Sequence, residues 1–175
     1  MNKIISLLIL LISTNSFGQK AQAVSDSMPV SSNGLSYGYN ITNEKSRNIK
    51  GEEYDRFEIE LFVHNEGGCA LAIPQKMNRS GEVDESVNIS IANFSVQNAN
   101  GRRLTAKGGD IDAKPWYLKV KIEASQALNG QTRINALIGN GIKSGETITK
   151  KITVLVPKGE RPKIVVKQVQ LTTLF

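Results

Sequence analysis

The chain has 175 residues, with 22 Lys+Arg against 16 Asp+Glu, one histidine and a formal net charge of +6 at pH 7; hydrophobic residues make up 39% and aromatic residues 6%. These values fit one domain of ordinary size. They exclude collagen-like, acidic disordered and multi-span membrane classes, and the single cysteine excludes a disulfide-built scaffold.

The first segment reads as an export signal. Lys3 precedes residues 4–12, where Ser6 is the sole interruption of an Ile/Leu run. Polar residues follow, then Ser16-Phe17-Gly18-Gln19, with small residues placed for cleavage before Gln19. The apolar run is about half the length a spanning helix needs. No cysteine lies near the cut, so a lipid anchor is not expected, and Cys69 is far away. The segment resembles the signals of exported bacterial proteins. The expected organisation is a cleaved signal at 1–18, a flexible linker at 19–34 ending Ser31-Ser32-Asn33-Gly34, and one folded domain at 35–175. No integral membrane segment is expected after cleavage.

The folded body has a period of two almost throughout. Leu35, Tyr37, Tyr39 and Ile41 alternate with Ser36, Gly38 and Asn40. Phe57, Ile59, Leu61 and Val63 alternate with Arg56, Glu58, Glu60 and Phe62, which is the clearest half-buried strand. Asn65-Glu66-Gly67-Gly68 turns the chain. Cys69, Leu71 and Ile73 continue the alternation to Pro74, and a polar loop follows at 75–86. Val87, Ile89 and Ile91 share one parity while Ala92, Phe94 and Val96 share the other. That switch predicts a bulge, or a strand passing between sheets, near Ile91-Ala92. Asn98-Ala99-Asn100-Gly101 turns the chain, and Leu104 and Ala106 suggest a short strand.

Leu118, Val120 and Ile122 alternate with Tyr117, Lys119, Lys121 and Glu123. Residues 123–129 could form one or two helical turns before Gly130. Ile134, Ala136 and Ile138 follow, ended by Gly139-Asn140-Gly141. Ile148, Ile152, Val154 and Val156 share a face up to Pro157, and a last strand is expected near 163–171. Eight or nine short strands predict an all-β fold, an antiparallel two-sheet β-sandwich. Residues 145–157 resemble a late hairpin strand of an immunoglobulin-like sandwich, a likeness of general architecture only, since the Cys-Trp-Cys spacing is absent.

Catalytic chemistry finds little support. His64 is the only histidine, so a hydrolytic zinc site lacks ligands. Cys69 shares parity with Leu71 and Ile73 and reads as a buried thiol; intermolecular pairing is the alternative for an odd cysteine in an oxidising compartment. Asp110 with Asp112, and Glu82, Asp84 and Glu85, read as solvated turns and match no calcium loop. No catalytic residue, metal or cofactor is expected.

Charge is more informative. Residues 19–90 hold 7 basic and 11 acidic groups, residues 91–175 hold 14 and 5, so charge is divided unevenly along the chain, an asymmetry that can create a polar field. Trp116, Tyr117, Lys119 and Lys121 lie together in the basic half, and Arg102 and Arg103 add to it. These six are the candidate binding residues, because exposed aromatics and cations carry interface energy. The expected function is an exported, non-enzymatic module for an envelope or extracellular protein, or for an anionic polysaccharide, located in the periplasm or at the cell surface or beyond. Nucleic acid is disfavoured, and oligomers are open. The alternatives are a carbohydrate-binding module, a structural subunit of a surface assembly and, last, a carboxylate-dependent hydrolase.

Overall fold

The computed structural model describes residues 21–73, 89–104, 109–121, 133–169 and 172–174. The expected signal, the polar loop at 75–86 and the helical turns at 123–129 lie outside them. All regular structure among the described residues is strand: β1 (Gln22–Val24), β2 (Val30–Ser32), β3 (Leu35–Ile49), β4 (Glu52–Asn65), β5 (Ala70–Ile73), β6 (Ser90–Gln97), β7 (Asp110–Asp112), β8 (Lys114–Lys121), β9 (Arg133–Ile142), β10 (Thr147–Pro157), β11 (Lys163–Gln168) and β12 (Thr172–Leu174). They form three four-stranded antiparallel sheets, ordered β1-β11-β6-β7 (sheet I), β10-β4-β3-β2 (sheet II) and β12-β5-β9-β8 (sheet III).

Alternation sets which faces meet. On β4, Asp55, Phe57, Ile59, Leu61, Val63 and Asn65 are buried, while Arg56, Glu58, Glu60, Phe62 and His64 between them are half-buried. β10 repeats the pattern with Ile148, Ile152, Val154 and Val156 inward. Sheet I supplies Ile91, Ala92, Phe94, Val96, Ile111, Ile164 and Val166 to the same apolar cluster, and Leu71 and Ile142 join it from sheet III. Ile91 and Ala92 are both buried although adjacent, because the β6–β7 register shifts between Ser90 and Ala92. The parity switch in the sequence is therefore a bulge, which turns two successive side chains toward apolar surroundings.

Two short strands lie inside the segment expected to be a linker. β1 pairs with β11, and β2 pairs with β3. Their join to the body is a two-residue turn, with Asn33 at φ 52° and Gly34 at φ 77°. Positive φ at both positions suits the right-handed twist of a tight hairpin, and Asn-Gly is its strongest sequence signal. Lys50-Gly51 does the same for β3 and β4, with φ 54° and 88°, and the Gly51 amide donates to Asn48 Oδ1 at 3.0 Å.

Gly139-Asn140-Gly141, expected to end a strand, instead runs inside β9 and pairs with both β8 and β5. The reason is close approach. A Cβ on Gly141 would stand 2.2 Å from the Leu71 carbonyl oxygen and 2.8 Å from the Trp116 ring. Strand glycine here makes room for a neighbouring backbone.

Polar side chains tie the elements together. Lys150 has the parity of the core residues on β10, and its ammonium donates to the Asp110 carbonyl of β7 at 2.6 Å. Asn65, fully buried, joins sheets II and III: its amide donates to the carbonyls of Cys69, Ile142 and Lys143 at 2.9, 3.3 and 3.0 Å, and its Oδ1 accepts from the Gly67 amide at 2.9 Å. Asp55 pins the turn after β10. It accepts from the Gly159 amide and the Ser46 hydroxyl, each at 2.7 Å.

Those two donors, assisted by Lys158, hold the Asp55 carboxyl below its ordinary value, against a smaller opposing effect of burial. A lowered folded pKa gives stability that is complete above the ordinary carboxylate value and fades as pH falls through the folded one. Thermal melts across the acid range are expected to show Asp55→Asn losing less stability than the wild type as pH drops. Parallel curves would remove Asp55 from the acid response.

Candidate binding surface

β8 forms one edge of sheet III and pairs only with β9 among the described strands. Tyr117, Lys119 and Lys121 alternate along it and are all exposed, Tyr117 at 57%. Residues directly opposite in an antiparallel pair share a face. Lys121 stands opposite Arg133, which is also exposed, and Tyr117 stands opposite Leu137. One open face therefore carries an aromatic ring and three cations. These cations make no ion pair with a described residue. Lys121 and Arg133 on one rung repel each other, a small destabilising contribution.

The six sequence candidates do not converge. Trp116 precedes a register shift at Trp116/Tyr117 and is half-buried. Its ring covers Gly141, and its Nε1 is buried without a described hydrogen-bond partner. It packs, whereas its neighbour Tyr117 is presented to solvent. Arg102 and Arg103 lie in the turn after β6, in the neighbourhood of sheet I. Asn98 organises that turn, its Oδ1 accepting from the amides of Asn100 and Arg102 at 3.1 and 2.8 Å. Arg103 borders a shallow cleft with Asn93, Ser95, Gly109 and Asp110. Sequence reasoning misses Arg133; the only signal for it is its rung partnership with Lys121, which requires the β8–β9 register.

The base of β8 is anchored. Lys114 meets Glu146 Oε1 at 2.6 Å, and Glu146 Oε2 accepts from the Lys143 amide at 2.9 Å. Burial pushes the Glu146 carboxyl up, but the Lys114 ammonium and the Lys143 amide together outweigh it and leave the group below its ordinary value.

The remaining candidates for chemistry are dispersed. His64 Nδ1 is 2.8 Å from Thr147 Oγ1, its rung partner on β10. Cys69, expected to be buried by parity, is exposed. β5 begins one residue later, so Cys69 belongs to the turn and the strand's alternation does not apply to it. Asp110 accepts from the Asn93 amide, and Asp112 from the Ser90 hydroxyl at 3.3 Å. Glu82, Asp84 and Glu85 fall outside the described residues. Among the described residues, no three His, Cys, Asp or Glu side chains gather to hold a metal, and no helix is long and apolar enough to cross a membrane. Compared with known proteins, the chain matches no family model, no curated protein and no solved structure.

Proposed function

We propose that the chain is an exported, non-enzymatic binding module, an immunoglobulin-like sandwich of sheets I and II carrying sheet III, which docks on an anionic protein or polysaccharide of the cell envelope. The observation that carries this reading is the open β8–β9 face, where Tyr117, Lys119, Lys121 and Arg133 are exposed together. An anionic partner relieves the repulsion between Lys121 and Arg133, and Tyr117 adds apolar contact area at small entropic cost. The core shared by sheets I and II supports the sandwich. The Lys3-led apolar run and the Ser16-Phe17-Gly18 ending support export to the periplasm or cell surface. His64, Cys69 and Asp110 are separately placed, which supports a role without acid–base chemistry.

The test is a charge reversal. The K119E/K121E/R133E variant is expected to lose binding to isolated envelope by about tenfold or more while keeping its melting temperature, with wild-type binding weakening as salt rises. Protease treatment and glycan hydrolysis of the envelope separate the two partner classes. Equal binding by variant and wild type would contradict the proposal.

A further inference from the structure

A second surface lies in a different sheet from the β8–β9 face, along the outer edge of β3 in sheet II. β2 covers β3 only at Leu35, Ser36 and Tyr37. The β1–β2 connection carries the cover two steps further, through the Ser27 amide on the Tyr39 carbonyl and the Ile41 amide on Asp26 Oδ1. The register shift at Ile41/Asn43 follows. Thr42 is the extra residue of that shift; beyond it, residues 43–49 of β3 pair with β4 on one side, and no described residue pairs with the other side of 42–49. Every second residue there presents its N–H and C=O to the open side.

The other edges are short or guarded. β1, β2, β7 and β12 have three residues each. β10 turns Lys150 inward toward β7, and β8 carries Pro115 with Lys114, Lys119 and Lys121. Inward charge, edge lysines and proline are standard defences of an open strand.

The central registers of the β3 edge disfavour its own copy by charge. In an antiparallel pairing of two copies about a two-fold axis, directly opposed residues share a face. Centring the pair on residue 44 opposes Glu44 to Glu44, on 45 Lys45 to Lys45, on 46 Lys45 to Arg47, and on 47 Arg47 to Arg47. Each register sets like charges against each other. Lys45 and Arg47 share the face of their rung partners Arg56 and Tyr54, opposite to the inward face that holds Asp55 and Phe57. Both are exposed.

We infer that residues 42–49 of β3 accept an extended acidic peptide strand from a partner protein, with carboxylates at alternate positions opposite Lys45 and Arg47. Main-chain bonds to the open edge supply attachment, and the two cations supply register and sign. This site is separate from the β8–β9 face, and its test does not depend on that face.

The experiment uses the full chain with two synthetic peptides, Thr-Thr-Glu-Thr-Glu-Thr-Thr and its lysine counterpart. The acidic peptide is expected to bind about tenfold more tightly, and to slow amide exchange at alternate residues of 42–49. In the K45E/R47E variant the preference is expected to reverse toward the lysine peptide, which shows that the variant is folded. Equal affinity for both peptides, unchanged exchange along 42–49, or dimerisation of the chain through this edge would each overturn the inference.

Discussion

Asn65→Ala is expected to be the most damaging single polar substitution, destabilising the fold by about 3 kcal/mol or more, because it breaks a buried network and leaves several groups unsatisfied at once. The side chain has no solvent exposure and four hydrogen-bond partners. Three of these are carbonyls, of Cys69, Ile142 and Lys143, which lie on the turn before β5, the end of β9 and the residue after it. Truncation deprives all three of this donor and releases the Gly67 amide at the same time. Asn65→Asp separates shape from donation. An ionised carboxylate cannot donate to carbonyls and is repelled by them, so its pKa in the folded state is raised. N65D is therefore expected to be strongly destabilised at neutral pH and to recover part of its stability as pH falls and the acid protonates. Denaturant melts at two pH values check this; an N65D variant as stable as wild type at neutral pH would show that the amide donates nothing of consequence.

Gly141→Val is expected to cost about 3 kcal/mol or more through overpacking. A Cβ there meets the Leu71 carbonyl at 2.2 Å, a backbone atom held by the β5–β9 ladder. It also meets Trp116 at 2.8 Å from the front of β8. A flexible side chain could swing aside, but a paired strand cannot, so the substitution forces β5 from β9 or drives the indole out. Increased tryptophan solvent exposure by fluorescence quenching should accompany the lowered melting temperature. A folded variant with an unmoved Trp116 signal would contradict the close approach.

Much of the fold is legible in the sequence wherever burial is one-sided. The alternation through Phe57, Ile59, Leu61 and Val63 gives β4, that of Ile148, Ile152, Val154 and Val156 gives β10, and the parity break at Ile91-Ala92 gives a bulge. Legibility fails where pattern and pairing part company. β1 and β2 are three residues long and largely polar, so their strand character comes from partners distant in sequence. Gly139 and Gly141 carry the composition of a turn yet lie inside β9, where Gly141 serves close strand packing. Cys69 has the right parity yet precedes the strand to which parity applies. Division into three sheets depends on which strands pair, and periodicity is silent on that.

The candidate surface follows the same logic. Alternation places Tyr117, Lys119 and Lys121 on one side of β8, and the fold keeps them there. Adjacent Trp116 takes a different environment because a period of two separates neighbours. Arg102 and Arg103 share only sign of charge with the group, and charge along the chain does not specify position in space. Arg133 enters through a rung contact alone.

Lysine-acetylation footprinting on isolated bacterial envelope tests the central claim most directly. With envelope present, Lys119 and Lys121 are expected to lose reactivity, while Lys151, exposed on β10 of sheet II, keeps its free rate. Unchanged reactivity at Lys119 and Lys121 while the chain is bound would contradict the assignment of the β8–β9 face as the docking surface.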